Sequence, residues 1–182
     1  MIPVEYLWLA LILVFGITGM VRGLWKELGV TTILLLSLFV LKFAWERVGS
    51  QIIGALPVQA STETVMALYY VITISFIAFI SYEGITLRFP IQEMKGIGKA
   101  LFGLPGGLLN GYLIIGTIWD AINQAAYLGL SVPLGSTGTM APISEYLTSL
   151  HNMLAQYLPV TFLNEYILLA LGMIMLLAII LK

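Results

Sequence analysis

Gly19-Met20-Val21-Arg22-Gly23-Leu24-Trp25-Lys26-Glu27-Leu28 is the stretch whose reading decides the fold. It sets Arg22, Lys26 and Glu27 between two long apolar segments, one from about Val4 to Val21 and one from about Leu28 to Trp45. A bilayer core about 30 Å thick takes roughly 20 mostly apolar helical residues to cross, and each flank is near that length. The charged turn from Arg22 to Glu27 is too short to carry the chain away from an interface, so the two segments are expected to form a helical hairpin.

The pattern recurs outward from that turn. A third span is expected from about Val65 to Ile85 and a fourth from about Ala100 to Trp119, joined by a segment holding Arg88, Glu93, Lys95 and Lys99. A fifth, Phe162 to Leu181, is followed by Lys182. The expected architecture is therefore an all-α integral membrane protein with about five transmembrane helices. Residues 1–120 form a four-span core of two hairpins, 121–161 an extracytoplasmic loop, and 162–182 the last helix.

Composition agrees. Of 182 residues, 60% are hydrophobic and 9% charged, against about a quarter charged in an ordinary soluble domain. A net charge of −1 gives no cationic excess with which to bind nucleic acid. The absence of cysteine excludes disulfides, thiol catalysis and cysteine-held metal. Met1-Ile2-Pro3-Val4-Glu5 has no positive n-region, and no small-residue cleavage site follows, so the first segment is expected to be a retained span. Arg22, Lys26, Arg88, Lys95, Lys99 and Lys182 collect on one side of the five spans, with Lys42 and Arg47 on the other. The bias of basic residues toward the cytoplasm then predicts the N-terminus outside and the C-terminus inside.

The connection after Trp119 divides in two. Gly129 to Pro142 has loop chemistry, with Pro133, Gly135, Gly138 and Pro142. From Ile143 to Leu158, apolar residues at Ile143, Tyr146, Leu147, Leu150, Met153, Leu154, Tyr157 and Leu158 keep helical spacing. This predicts an amphipathic helix over 143–158, lying on the outer membrane surface or capping the bundle. A shorter helix is expected from Val48 to Leu56, stopped by Pro57.

Glycine spacing is the most specific local feature. Gly103, Gly107 and Gly111 recur every fourth residue, which leaves one helix face flat and lets another helix approach closely, either within the bundle or between protomers. Gly19 and Gly23 form a shorter pair, and Pro105 predicts a kink. Asn110, beside the glycine face, is expected to hydrogen-bond between helices. Glu83 is the acidic residue nearest a span interior, and an ion pair with Arg88, Arg22 or Lys26 is the expected relief for it. Lys42 and Glu46, spaced i, i+4, read as a surface pair at a span end. Asp120 and Asn123 read as an outer cap, and Trp8, Trp25, Trp45 and Trp119 as interfacial anchors. His151 is the one histidine, too few for a metal site. No phosphate loop, zinc-protease or nucleophile-elbow motif occurs, and neither enzymatic activity nor a cofactor is expected.

The turn resembles the hallmark of the colicin V production protein family, in which a first span ends in Gly-x-x-Arg-Gly with an acidic residue four positions on. Gly19, Arg22, Gly23 and Glu27 fill those places, and Gly103, Gly107 and Gly111 resemble the family's second signature. The likeness covers about residues 5–119. Lys99 and Ala100 stand where that family has an Asp-Arg pair, Asn110 stands where it has an arginine, and the outer helix and fifth span are additions. The resemblance implies a bacterial inner-membrane protein concerned with peptide-toxin export or envelope homeostasis. On this reading the chain is a non-enzymatic scaffold, partnered by the lipid bilayer and by other membrane proteins or a second copy through the glycine face. An accessory subunit of a larger membrane complex and a small channel or transporter are the alternatives.

Overall fold

The computed structural model describes residues 4–55, 61–83, 87, 89, 95–125 and 152–181, and all regular structure among them is helical. The helices are α1 (Val4–Arg22), α2 (Leu24–Ala55), α3 (Thr62–Glu83), α4 (Ile97–Gln124), α5 (Pro159–Phe162) and α6 (Glu165–Ile180). Four of them, α1 to α4, are long and apolar enough to cross a membrane. The expected fifth span, 162–181, is shortened at its start, its helix covering 165–180. Pro159 opens the one-turn α5, and the chain leaves helical geometry at Leu163 and Asn164. The Asn164 side chain then accepts from the Tyr166 N–H to start α6. At 16 residues α6 is about 24 Å long, short of a full crossing.

Helix α2 also departs from expectation. The separate helix predicted from Val48 merges into α2, which continues to Ala55. Neither Gly49 nor Gly54 breaks it, since a helical glycine costs only about 1 kcal/mol relative to alanine. Of the predicted helix 143–158, only residues 152–158 are described, and 152–156 are helical. Within that stretch Leu158 is buried, while Met153 and Tyr157 are exposed. The loop 129–142, His151 and Arg88 lie outside the described residues.

The helices alternate in direction. Arg22 at the end of α1 meets Glu27 at the start of α2 and Tyr82 at the end of α3. Lys99 at the start of α4 lies over Gly23 in the same place. At the opposite end Trp8 of α1 stacks on Trp119 of α4, with centroids 6.1 Å apart, and Trp45 of α2 meets Tyr69 of α3. Trp8 and Trp119 are buried, so these two are core residues and not interfacial anchors.

Sequence neighbours do not make the principal contact. Helices α1 and α2 are joined through Gly23 alone, whose φ of 90° is a left-handed conformation that favours glycine. They touch each other little, and α1 lies along α4. The hairpin picture therefore describes connectivity but not packing.

The α1–α4 contact is made by glycines on both sides. A Cβ at Gly103 would strike the Gly19 carbonyl, one at Gly107 the Phe15 carbonyl, and one at Gly111 would come within 2.9 Å of the Ile12 carbonyl. On α1, a Cβ at Gly19 would strike the Gly103 carbonyl and lie 2.7 Å from the Gly107 Cα. Backbone meets backbone, which only residues without side chains allow. In this chain α1 covers the face, so the seam lies within the bundle, one of the two arrangements that the spacing left open.

The last two helices are attached by charge. Asp120, buried at 2% exposure, accepts from the Thr161 N–H at 2.9 Å and from its hydroxyl. The Lys42 ammonium donates to the carbonyls of Val160 and Leu163 at 3.0 and 3.2 Å. Lys42 thus satisfies backbone carbonyls around α5, where a surface pair with Glu46 was expected, and Asp120 grips the same segment where an end cap was expected. Farther along, Leu36 of α2 packs into α6 at Gly172.

Two predictions follow from these contacts. Gly107→Ala and Gly103→Ala should each lower the thermal midpoint in detergent, overpacking costing about 1–3 kcal/mol or more against backbone. Gly98→Ala, with nothing within 4 Å of the added carbon, should leave the midpoint unchanged or raise it. Lys42→Met should speed backbone hydrogen exchange at Phe162 and Leu163 at least about tenfold, because a hydrogen bond to a charged group contributes about 1.5–3 kcal/mol.

Candidate functional site

The elements converge on one buried polar cluster near the Arg22 end. Its centre is Glu27 in the first turn of α2, with 0% exposure. Three donors from three other helices reach its carboxylate. Arg22 of α1 gives Nε–H to Oε1 at 2.8 Å. The Tyr82 hydroxyl of α3 and the Asn110 amide of α4 give theirs to Oε2 at 2.9 and 2.8 Å.

A second layer fixes these donors. The Asn110 amide nitrogen also donates to the Glu27 carbonyl at 3.0 Å. The Thr31 hydroxyl lies 2.7 Å from Asn110 Oδ1 and 2.9 Å from that same carbonyl, with one hydrogen to give to either. Arg22 turns a second nitrogen to the Tyr82 carbonyl at 2.9 Å, satisfying a helix C-terminal oxygen that has no partner within α3. Its guanidinium lies over the Tyr82 ring at 4.6 Å, a cation–π arrangement. Phe15 closes the side, edge-on to Tyr82 at 5.4 Å.

Glycine makes room for the carboxylate. A Cβ at Gly106 would lie 2.9 Å from the Glu27 Cβ, so the α2–α4 approach depends on Gly106, one turn before Asn110. The position of Glu27 in the first turn of α2 also sets its negative charge against the positive end of that helix. An ion pair removed from water is costly unless its remaining hydrogen-bonding capacity is filled. Here each carboxylate oxygen has at least one donor.

The residues singled out in the sequence fall into place unevenly. Gly19, Arg22, Gly23 and Glu27 occupy the seam, the ion pair, the hinge and the centre of the cluster, and Asn110 bridges helices. Glu83 is exposed at the end of α3. Its proposed pair with Arg88 lies outside the described residues, and the buried carboxylate–guanidinium pair is Arg22–Glu27. The roles of Tyr82, Thr31 and Gly106 were not foreseen. Thr31 sits one turn after Glu27, and this i, i+4 spacing was the available signal. Among the described residues no group of three or more His, Asp or Glu is placed to hold a metal ion.

The cluster predicts a non-additive response. Arg22→Met leaves Glu27 buried without its counter-charge and should cost about 3–5 kcal/mol. Arg22→Met combined with Glu27→Leu should recover part of that loss, the Tyr82 hydroxyl and the Asn110 amide losing their acceptor, while Glu83→Gln should stay within about 0.5 kcal/mol of the parent. Denaturant titration of helicity in detergent micelles reads all three. Comparison with known protein families, with curated proteins and with solved structures finds no match to this chain.

Proposed function

We propose that the chain is a multi-pass protein of the bacterial cytoplasmic membrane and acts as a non-enzymatic scaffold in peptide-toxin export or envelope homeostasis. One observation carries this reading: apolar side chains face outward while the charged cluster sits inside, held by the chain's own donors. Leu13, Ile17 and Val21 on α1, and Ile72, Phe76 and Phe79 on α3, are all more than half exposed. Water would not tolerate that surface, and lipid would.

The Glu27 cluster and the glycine seam support a rigid role. They tie α1 to α4 together inside one chain, which suits a platform for other membrane proteins. Since α1 covers the glycine face, partners are expected on other faces. The toxin-export assignment is supported by the resemblance of Gly19, Arg22, Gly23 and Glu27 to the colicin V production signature. The excess of Arg22, Lys26, Arg88, Lys95 and Lys99 over Lys42 and Arg47 supports a cytoplasmic Arg22 end with the N-terminus outside, and a C-terminus inside requires α6 to complete a fifth crossing. A small channel or transporter is the second reading, favoured by a carboxylate, Glu27, enclosed between four helices.

The cysteine-free sequence makes the topology testable. A membrane-impermeant maleimide should label Gln51→Cys in intact cells and Ile97→Cys only after permeabilisation; the reverse pattern would overturn the orientation. Expression in a bacterium lacking its own colicin V production protein should restore toxin export. A chain that accumulates in the membrane without restoring it would sink that assignment, and solute flux abolished by Glu27→Gln in proteoliposomes would favour the transporter.

A further inference from the structure

Six basic side chains are described, and they divide cleanly. Arg22 is engaged by Glu27 and Tyr82, Lys42 by the Val160 and Leu163 carbonyls, and Arg47 lies 3.4 Å from the centre of the Phe43 ring. Among the described residues, Lys26, Lys95 and Lys99 have no acceptor, ion pair or ring contact, and all three stand at the Arg22 end. The carboxylates described at that end are Glu27, which is fully engaged, and Glu83, which is exposed. Three lysines against one free carboxylate leave this end with a cationic excess.

The geometry gathers that excess beside apolar surface. The Lys99 stem lies across Gly23, where an added Cβ would meet its Cγ at 3.0 Å and its Cε at 3.2 Å. That brings Lys99 against the α1–α2 hinge, three residues before Lys26. Phe102, one helical turn beyond Lys99, is 49% exposed, Leu101 63%, and Val21 in the last turn of α1 70%. A free phosphate has no use for such apolar neighbours. A molecule with an anionic head and hydrocarbon tails matches both halves.

We infer that the hinge region between α1, α2 and α4 binds an anionic phospholipid, its phosphate taken by Lys26 and Lys99 with Lys95 adding to the field, and its acyl chains lying on Phe102 and Val21. This rests on the membrane reading given under Proposed function. Each lysine near a membrane surface contributes about 1 kcal/mol of attraction to anionic lipid, so losing two weakens binding about 30-fold.

The test is native mass spectrometry of the full chain from mixed micelles holding equal amounts of phosphatidylglycerol and phosphatidylcholine. The parent should retain phosphatidylglycerol preferentially, Lys26→Gln/Lys99→Gln should bind it about 30-fold more weakly, and Arg47→Gln should match the parent. Equal retention of the two lipids, or an unchanged double variant, would overturn the site. Displacement of the lipid by millimolar inorganic phosphate would also overturn it, by showing a site for the free anion. Flotation with pure phosphatidylcholine vesicles, and helicity of the double variant, are measured alongside. A chain that does not float refutes the membrane reading itself, whereas one that floats and shows no lipid preference refutes only the site.

Discussion

The Glu27 carboxylate is the point at which the bundle is tied. It is fully withdrawn from solvent, and its donors come from α1, α3 and α4 while it belongs to α2. A charge so placed leaves little freedom to its neighbours, because a buried carboxylate that loses a donor costs more than an ordinary hydrogen bond. Arg22 must sit at the end of α1 beside the hinge, Tyr82 must bring the end of α3 inward, and Asn110 must present its amide from the middle of α4. Apolar contacts alone allow helices to slide; this cluster defines one register.

The glycine seam and the cluster depend on each other. Gly103 and Gly107 let the α1 backbone approach α4, while Gly106 admits Glu27 from α2 on an adjacent face. One helix thus presents two flat surfaces about 100° apart, one to a backbone and one to a carboxylate side chain. The hinge at Gly23 is where α1 and α2 part company toward these two surfaces. In this arrangement Gly19, Arg22, Gly23 and Glu27 form a single mechanical unit at the head of α4.

The positions of the first four helices were legible because apolar runs of that length have few other uses. Gly103, Gly107 and Gly111 announced a close approach by their spacing, but spacing does not name the partner, and α1 was hidden by its adjacency to α2. Glu27 was legible as part of a motif and illegible as a buried group. A carboxylate in a charged turn looks solvated until the helix is seen to begin at Leu24 and carry it inward. Lys42 misled in the same way: a nearby Glu46 suggested a surface pair, whereas the carbonyls that it serves lie more than a hundred residues away. The start of α6 was written in Asn164, a helix-capping residue followed by Glu165 at the head of an apolar stretch.

That α1 packs on α4 also has a consequence for the order of events during synthesis. When α1 emerges, the surface that fills its glycine groove has not been made, and the last residue of α4 follows it by about 100 residues, some 5–20 seconds at roughly 5–20 residues per second. Throughout that interval the groove and Arg22 must be tolerated incomplete, with Glu27 arriving early enough to hold the guanidinium alone. The principal contact of α1 therefore cannot form until α4 has been made.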